Sequence, residues 1–328
     1  MSSNVPDAVG HENIVPDPDG HENTQLDTTG PESTVHEAKL KRRGHSAAGN
    51  AARAISSPWA SVAAVILAIM WTTPTLGLFI TSFRTQEDIQ NSGWWTAILK
   101  PWFTVKNYEA ALFGGSTSLI DYFVNSLVIT IPAVIIPLML AALAAYAIAW
   151  TKFPGRNWIF VGIFALQIVP LQVALIPLQQ IYNALQLPSF WQVWLSHSIF
   201  ALPLAVFLLH NFMKDLPAEL MEAARVDGAG HNAIFFRVIL PLMKPALASF
   251  GIFQFLWVWN DLLVALIFAP ARANAPLTVR VAEMSGTMGG QWYMLSAGAF
   301  ISMIVPVAVF LFLQKYFVRG LLSGGLKG

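Results

Sequence analysis

The residues of this chain that have chemistry to offer fall in two places. The first is a polar stretch of residues 214–244, set between two apolar runs and carrying charges of both signs, among them Asp215, Glu219, Glu222, Arg225, Asp227 and Arg237. Within it Leu216, Leu220, Ala223 and Ala224 recur at three- and four-residue steps beside Glu219 and Glu222, which is the pattern of a short amphipathic helix. Asp215 ahead of Pro217 predicts the helix start, because a carboxylate accepts orphan amide hydrogens and proline suits a first turn. Asp227-Gly228 predicts its end, glycine allowing the left-handed turn. A second helical stretch, Ala233 to Leu240, is expected to stop at Pro241. A small-residue stripe with no span of its own to cover it suits a partner protein's groove.

The second place lies inside the apolar runs. Asp261 is the one carboxylate at expected membrane depth, and a carboxylate there is costly enough to suggest function. With Asn260 and Gln254 it could offer hydrogen bonds to the hydroxyls of a polar cargo; it could equally cap a kinked helix or pair with a neighbouring subunit. Gln167, Gln172 and Gln179 form a similar polar row, while Trp257, Trp259 and Tyr182 offer flat apolar faces. His197 and His210 read as interface or packing residues. None of this is catalytic machinery. The chain has no Gly-x-x-x-x-Gly-Lys-Ser/Thr phosphate loop, no His-Glu-x-x-His and no Gly-x-Ser-x-Gly. It has no cysteine, which removes disulfides, thiolate zinc sites and a cysteine nucleophile together. Paired His-Glu steps at His11-Glu12 and His21-Glu22 come with no preorganised geometry, so no metal site is expected.

The elements that must position these residues are membrane spans. Of 328 residues, 55% are apolar and only 11% are charged, against about one-quarter charged in a soluble domain. Continuous apolar stretches lie near 60–82, 123–150, 158–178, 194–213, 245–269 and 294–313. Each has about 20 residues or more, enough at 1.5 Å rise to cross a hydrocarbon core of roughly 30 Å. The expected fold is therefore all-α, with six transmembrane helices; continuous rather than alternating apolar runs exclude a β-barrel. Pro132, Pro137, Pro170, Pro177, Pro203 and Pro306 interrupt the spans and can splay helices around a path.

Residues 1–57 precede the spans. The first 38 carry eight acids and no Lys or Arg, with a ten-residue repeat at Gly10, Gly20 and Gly30, and this composition predicts a disordered acidic tail. A basic stretch follows at Lys39, Lys41, Arg42, Arg43 and Arg53. The membrane-spanning body is expected over residues 58–328. With the N-terminus inside, 14 of the 19 Lys and Arg fall on cytoplasmic segments, so both termini are expected in the cytoplasm of a multi-pass plasma-membrane protein. A net charge of +1 excludes a bulk cationic binder of nucleic acid.

Glu222-Ala223-Ala224, three residues, Gly228, nine residues and then Val238-Ile239-Leu240-Pro241 resembles the EAA loop of ABC-importer permeases, with Val238 in place of the family's usual Ile. Asp227-Gly228-Ala229 fits the sugar-type version. Further matches are Asn125-Ser126, Ala145-Tyr146-Ala147, Phe153-Pro154-Gly155-Arg156, Trp259-Asn260-Asp261, Val318-Arg319-Gly320 and Lys327-Gly328. Leu187-Pro188-Ser189-Phe190 departs from the family's Asn-Thr. Together these residues are similar to the MalG-type subunit of bacterial carbohydrate importers, over roughly residues 60–328.

The resemblance implies a type I ABC-importer permease that forms a translocation path for an oligosaccharide or related sugar. Its loop would be a coupling helix seated in a separate ATPase. Glu222 would meet a basic residue there, Ala223 and Ala224 would permit close packing, Asp227 and Gly228 would make the bend, and Leu240-Pro241 would close the motif. Gln167, Gln254, Trp257, Asn260 and Asp261 are the candidates for the substrate path. The chain itself would bind no cofactor, ATP and Mg residing in the ATPase. The implied partners are an ATPase dimer, a second, MalF-type permease, an extracellular solute-binding protein, membrane lipid and the carbohydrate. The competing reading is a secondary transporter driven by an ion gradient, with Asp261 as its ion site.

Overall fold

The computed structural model describes residues 58–114, 118–271, 273–285 and 292–325, with side chains described to Gln314. The acidic tail and Lys327-Gly328 lie outside the described residues, and of Val318-Arg319-Gly320 only the helical backbone is described. By its internal contacts the chain divides into Met1–Trp71, described only over the first part of one helix, and Thr72–Gly328.

Every element among the described residues is helical. In chain order α1 is Pro58–Ser82, followed by the short turns Gln86–Asn91 and Thr96–Leu99 and by α2, Lys106–Phe113. Next come α3, Leu119–Trp150; α4, Arg156–Ala165, tightened into a 3-10 turn at Leu166–Ile168; α5, Leu171–Ala184; and α6, Ser189–Lys214. The polar loop holds α7, Ala218–Val226, and α8, His231–Ile234, which runs on through a π turn at Phe235–Ile239 to Leu240–Leu242. The chain then forms α9, Lys244–Trp259; α10, Leu263–Phe268; α11, Leu277–Met284; and α12, Trp292–Gly325.

Four of these helices (α1, α3, α6, and α12 over Trp292–Gln314) are long and apolar enough to cross a bilayer; counting each of two bent pairs as one span gives six. The expected runs at 158–178 and 245–269 are both broken, the first at Pro170, one of the prolines expected to interrupt it, and the second where no interruption was expected. The first bends by 102° between Ile168 and Leu171. Pro170 has no N–H to donate and clashes with a helical predecessor, so Val169 takes an extended conformation and the helix cannot continue. The second is entered by a 72° bend at Met243 and is interrupted again at Asn260–Leu262. By contrast α3 runs through Pro132 and Pro137 without a break.

The centre of the fold is α3, which packs along α6 and also meets α9 and α11. Ser118 starts it by accepting the Ile120 N–H at 3.1 Å, and Asp121 adds a favourable charge in the first turn. Its buried face includes the small residues Ser126, Ala133, Ala141, Ala142 and Ala145, and α6 contributes Ala201 and Ala205. Without a hydrophobic drive in lipid, such faces hold helices together by close van der Waals approach. At the far end of α3 the core continues into the polar loop: Tyr146, Met213, Met221, Ile234, Phe235, Ile239 and Met243 belong to one buried cluster.

Candidate functional site

The loop of residues 214–244 is a helix–turn–helix with two different faces. Met221 is 2% exposed and anchors α7 in the cluster beneath it, with Leu216, Ala224 and Ala229 packed alongside. On the outside Glu219, Leu220, Glu222, Ala223, Arg225 and Val226 are exposed, Val226 at 88%. The expected stripe therefore divides: Leu216 and Ala224 serve this chain's own core, while Leu220, Ala223 and Val226 lie open beside two carboxylates. Met221, the strongest anchor, was missing from the stripe read off the sequence, although its three-residue step to Ala224 was there to find.

The turn is built as the sequence requires. Gly228 has φ +80°, its N–H donates to the Arg225 carbonyl at 2.9 Å, and the Ala229 N–H reaches back to the Ala224 carbonyl at 2.9 Å. This pair of bonds is a Schellman motif, in which a left-handed residue lets orphan carbonyls of the last turn find donors. Asp227 caps the helix C-terminus, its N–H bonded to the Ala223 carbonyl at 3.0 Å. The helix start differs from the expectation. Pro217, not Asp215, is the N-cap residue, and it supplies no side-chain bond; Asp215 instead closes α6.

The helix end differs too. Leu240 and Pro241 stay helical to Leu242, because a π step precedes them, with the Leu240 N–H bonded to the Phe235 carbonyl. A wider turn accommodates the hydrogen bond that proline cannot donate, and the bend falls at Met243 instead. The returning limb is tied to the end of α3. The Tyr146 hydroxyl and His231 Nδ1 share a hydrogen bond of 2.9 Å, and the Tyr146 ring meets Phe235 edge-on with centroids 5.3 Å apart. The matched Ala145-Tyr146-Ala147 thus fastens the loop to a membrane helix.

Between the α4–α5 break, α6 and α9 lies a cavity of about 550 Å³. Gln167, Gln254 and Trp257 line it, as expected of path residues, against walls such as Phe200, Phe250 and Phe253. His197 also lines it, a role that its type and position did not reveal. Gln254 is buried, with Nε2 donating to the Ala133 carbonyl at 3.4 Å, whereas Trp257 is half exposed. No Asp, Glu, Lys or Arg is among the described lining residues.

Two candidates do not join this lining. Asn260 is exposed and its Nδ2 donates to the Leu256 carbonyl of its own helix at 2.7 Å. Asp261 stands two residues before α10: its Oδ2 accepts the Ala265 N–H at 3.1 Å, and its carbonyl accepts the Thr278 hydroxyl at 2.7 Å. His197 Nε2 stands 3.8 Å from the same carboxylate. Of the open alternatives, helix capping is the one the geometry exhibits. Trp259 and Tyr182 are core residues rather than platforms, since Trp259 donates Nε1 to the Ser302 carbonyl at 3.0 Å and Tyr182 packs on Phe268. In the polar row only Gln167 reaches the cavity; Gln179 bonds the Ile267 carbonyl at 3.2 Å. Asn125-Ser126 pins the segment before α11, Asn125 bonding the Ala273 and Ala275 carbonyls and Ser126 Oγ accepting the Leu277 N–H.

A helical membrane protein with a cavity at broken spans and a protruding two-helix loop has the architecture of an importer permease. The chain shares its fold with a crystal structure of a bacterial ABC transporter involved in the import of the acidic polysaccharide alginate, at TM-score 0.64 and 22% identity, over 78% of this chain and 94% of that one. Residues 138–323 match the family described as binding-protein-dependent transport system inner membrane component, and the chain belongs to that family. It is 48% identical over 272 residues to the osmoprotective compounds uptake permease protein GgtD of Synechocystis, covering 81% of this chain and 91% of the relative. It is also 48% identical over 260 residues to the alpha-glucoside transport system permease protein AglG of Rhizobium meliloti, covering 75% and 68%. The protein is a transport component, not an enzyme.

Proposed function

We propose that this chain is one of two permease subunits in an ATP-driven, binding-protein-dependent importer of an uncharged carbohydrate or similar polyhydroxylated solute. In this reading six spans, two of them bent, leave both termini in the cytoplasm. Loop 214–244 docks on a separate ATPase that holds ATP and Mg, and an extracellular solute-binding protein delivers cargo to the opposite face. The single observation that carries the reading is the division of α7 into a face seated on this chain's own core and an outer face, around Glu222 and Ala223, that this chain leaves open.

The cavity supports the cargo class. Amides of Gln167 and Gln254 and the His197 ring supply hydrogen bonds, the Trp257 face supplies flat apolar contact, and the described lining residues include no Asp, Glu, Lys or Arg to favour an ionic substrate. The relatives named for alpha-glucosides and for osmoprotective compounds agree with a small polar cargo.

Because the chain has no cysteine, Ala223→Cys gives a single reactive position for crosslinking in native vesicles. Capture of a nucleotide-hydrolysing subunit, with uptake that requires ATP, is the expected result. Uptake that continues without ATP and collapses with the proton gradient would instead restore the ion-driven alternative.

A further inference from the structure

The segment between α1 and α2 carries an apolar surface that the transport reading leaves unused. Trp95, Ile98, Leu99, Trp102 and Phe103 are all more than half exposed, Leu99 at 84%. They stand on a braced loop rather than a loose one. Arg84 is buried and its guanidinium donates to the Asp88 carbonyl at 2.8 Å and the Ser92 carbonyl at 3.1 Å. Asn107 is buried as well, with Nδ2 donating to the Ser82 and Arg84 carbonyls, and the Ser82 and Tyr108 hydroxyls share a bond of 2.7 Å. The Thr104 N–H donates to the Phe83 carbonyl at 2.7 Å.

This brace also fixes the height of the loop. The Trp94 indole lies against Gly77, where an added Cβ would stand 2.8 Å from Nε1. Only a glycine permits that approach. Gly77 is five residues before the end of α1, so about 7.5 Å of helix separates it from Ser82. Phe103 likewise turns back onto Phe83, which meets Phe79 edge-on. The loop therefore folds down beside the last turns of a membrane span instead of rising beyond it. Between Asn91 and Lys106 it has one lysine, Lys100, and no acid, and Lys106 flanks it.

We propose that residues 93–105 form an interfacial foot that seats in the lipid headgroup layer at the end of α1, holding this loop and the start of α2 at a fixed depth. Tryptophan and flanking lysine are the side chains that prefer this layer, an apolar body facing the acyl boundary and a polar tip facing phosphate. A docked soluble protein would approach the end of the span, whereas the Trp94 ring reaches back to Gly77, alongside it. The inference does not depend on which solute is carried.

The test uses the assembled transporter in vesicles of phosphatidylethanolamine and phosphatidylglycerol. Spin labels are placed at Ile98→Cys, Leu99→Cys and Trp102→Cys in the cysteine-free chain, with exposed Gln86→Cys for comparison. Without a binding protein, the ratio of oxygen to nickel-chelate collisions should exceed that of Gln86→Cys at all three sites. Collision ratios matching Gln86→Cys would overturn the proposal. So would labels that become shielded only when the solute-binding protein is added, or that are shielded from both agents throughout, which would place another protein on this surface. Ile98→Cys changes an outward side chain in a four-residue turn, so it keeps the test decisive if the tryptophan variant fails to assemble.

Discussion

Substitutions on the two faces of α7 separate what this chain does for itself from what it does for a partner. Met221 is 2% exposed in the cluster with Met213, Ile234 and Met243, so Met221→Ala deletes buried atoms and leaves a space. Such a change costs about 2–5 kcal/mol, and even the low end multiplies the population of the unseated helix by roughly 30. Ala223 is exposed and its replacement by leucine meets nothing in this chain, so the internal cost stays within about 0.5 kcal/mol. Hydrogen exchange of the peptides over 216–229, measured in lipid on the full-length permease, should therefore rise by about 30-fold or more for Met221→Ala and by about twofold or less for Ala223→Leu. ATP-driven uptake by the assembled transporter should fall for both. If Ala223→Leu loosens the loop as much as Met221→Ala, or if uptake survives it, then Ala223 does not face a partner and the docking argument fails.

Three further outcomes follow from single contacts. Gly228 sits at φ +80° with open space around the missing Cβ, so Gly228→Ala meets only the left-handed strain of about 1–2 kcal/mol, whereas Gly228→Asn should retain most coupled uptake; equal loss in both would place the defect outside the backbone. Asp261→Asn keeps an oxygen for the Ala265 N–H, so uptake should persist, while Asp261→Ala uncaps α10 at a cost of about 0.5–2 kcal/mol; abolition of uptake by Asn, with expression intact, would revive the ion-site reading. Tyr146→Phe removes the bond to His231 and keeps the ring contact with Phe235, which should weaken the loop's attachment by about 0.5–1.5 kcal/mol and raise ATP hydrolysis relative to transport; an unchanged ratio would show that the bond transmits nothing.

Much of this molecule was legible because the signals were local. Bilayer thickness converts hydropathy into helices, so α1, α3, α6 and α12 follow from runs of apolar residues and little else. The turn at Asp227-Gly228 follows from the residue type that adopts its backbone angle most readily. The spacing from Glu222 to Pro241 was enough to place the protruding loop and its family.

What folding alone decided was which side chains meet. Pro170 was legible as an interruption of the third run, but composition does not register how far the helix bends there, nor that Asn260–Leu262 interrupt the hydrogen-bond ladder of the fifth once neighbouring helices accept the broken ends. A lone intramembrane acid read equally as a cargo ligand, a helix cap or a subunit contact until α10 placed the Ala265 amide over Asp261. Met221 turned inward and Ala223 outward because α7 lies on Met213 and Ile234, residues brought beneath it by α6 and α8. Period and propensity act over a few residues. The choice of face depends on contacts between helices that are distant in the chain, and only the packed structure supplies them.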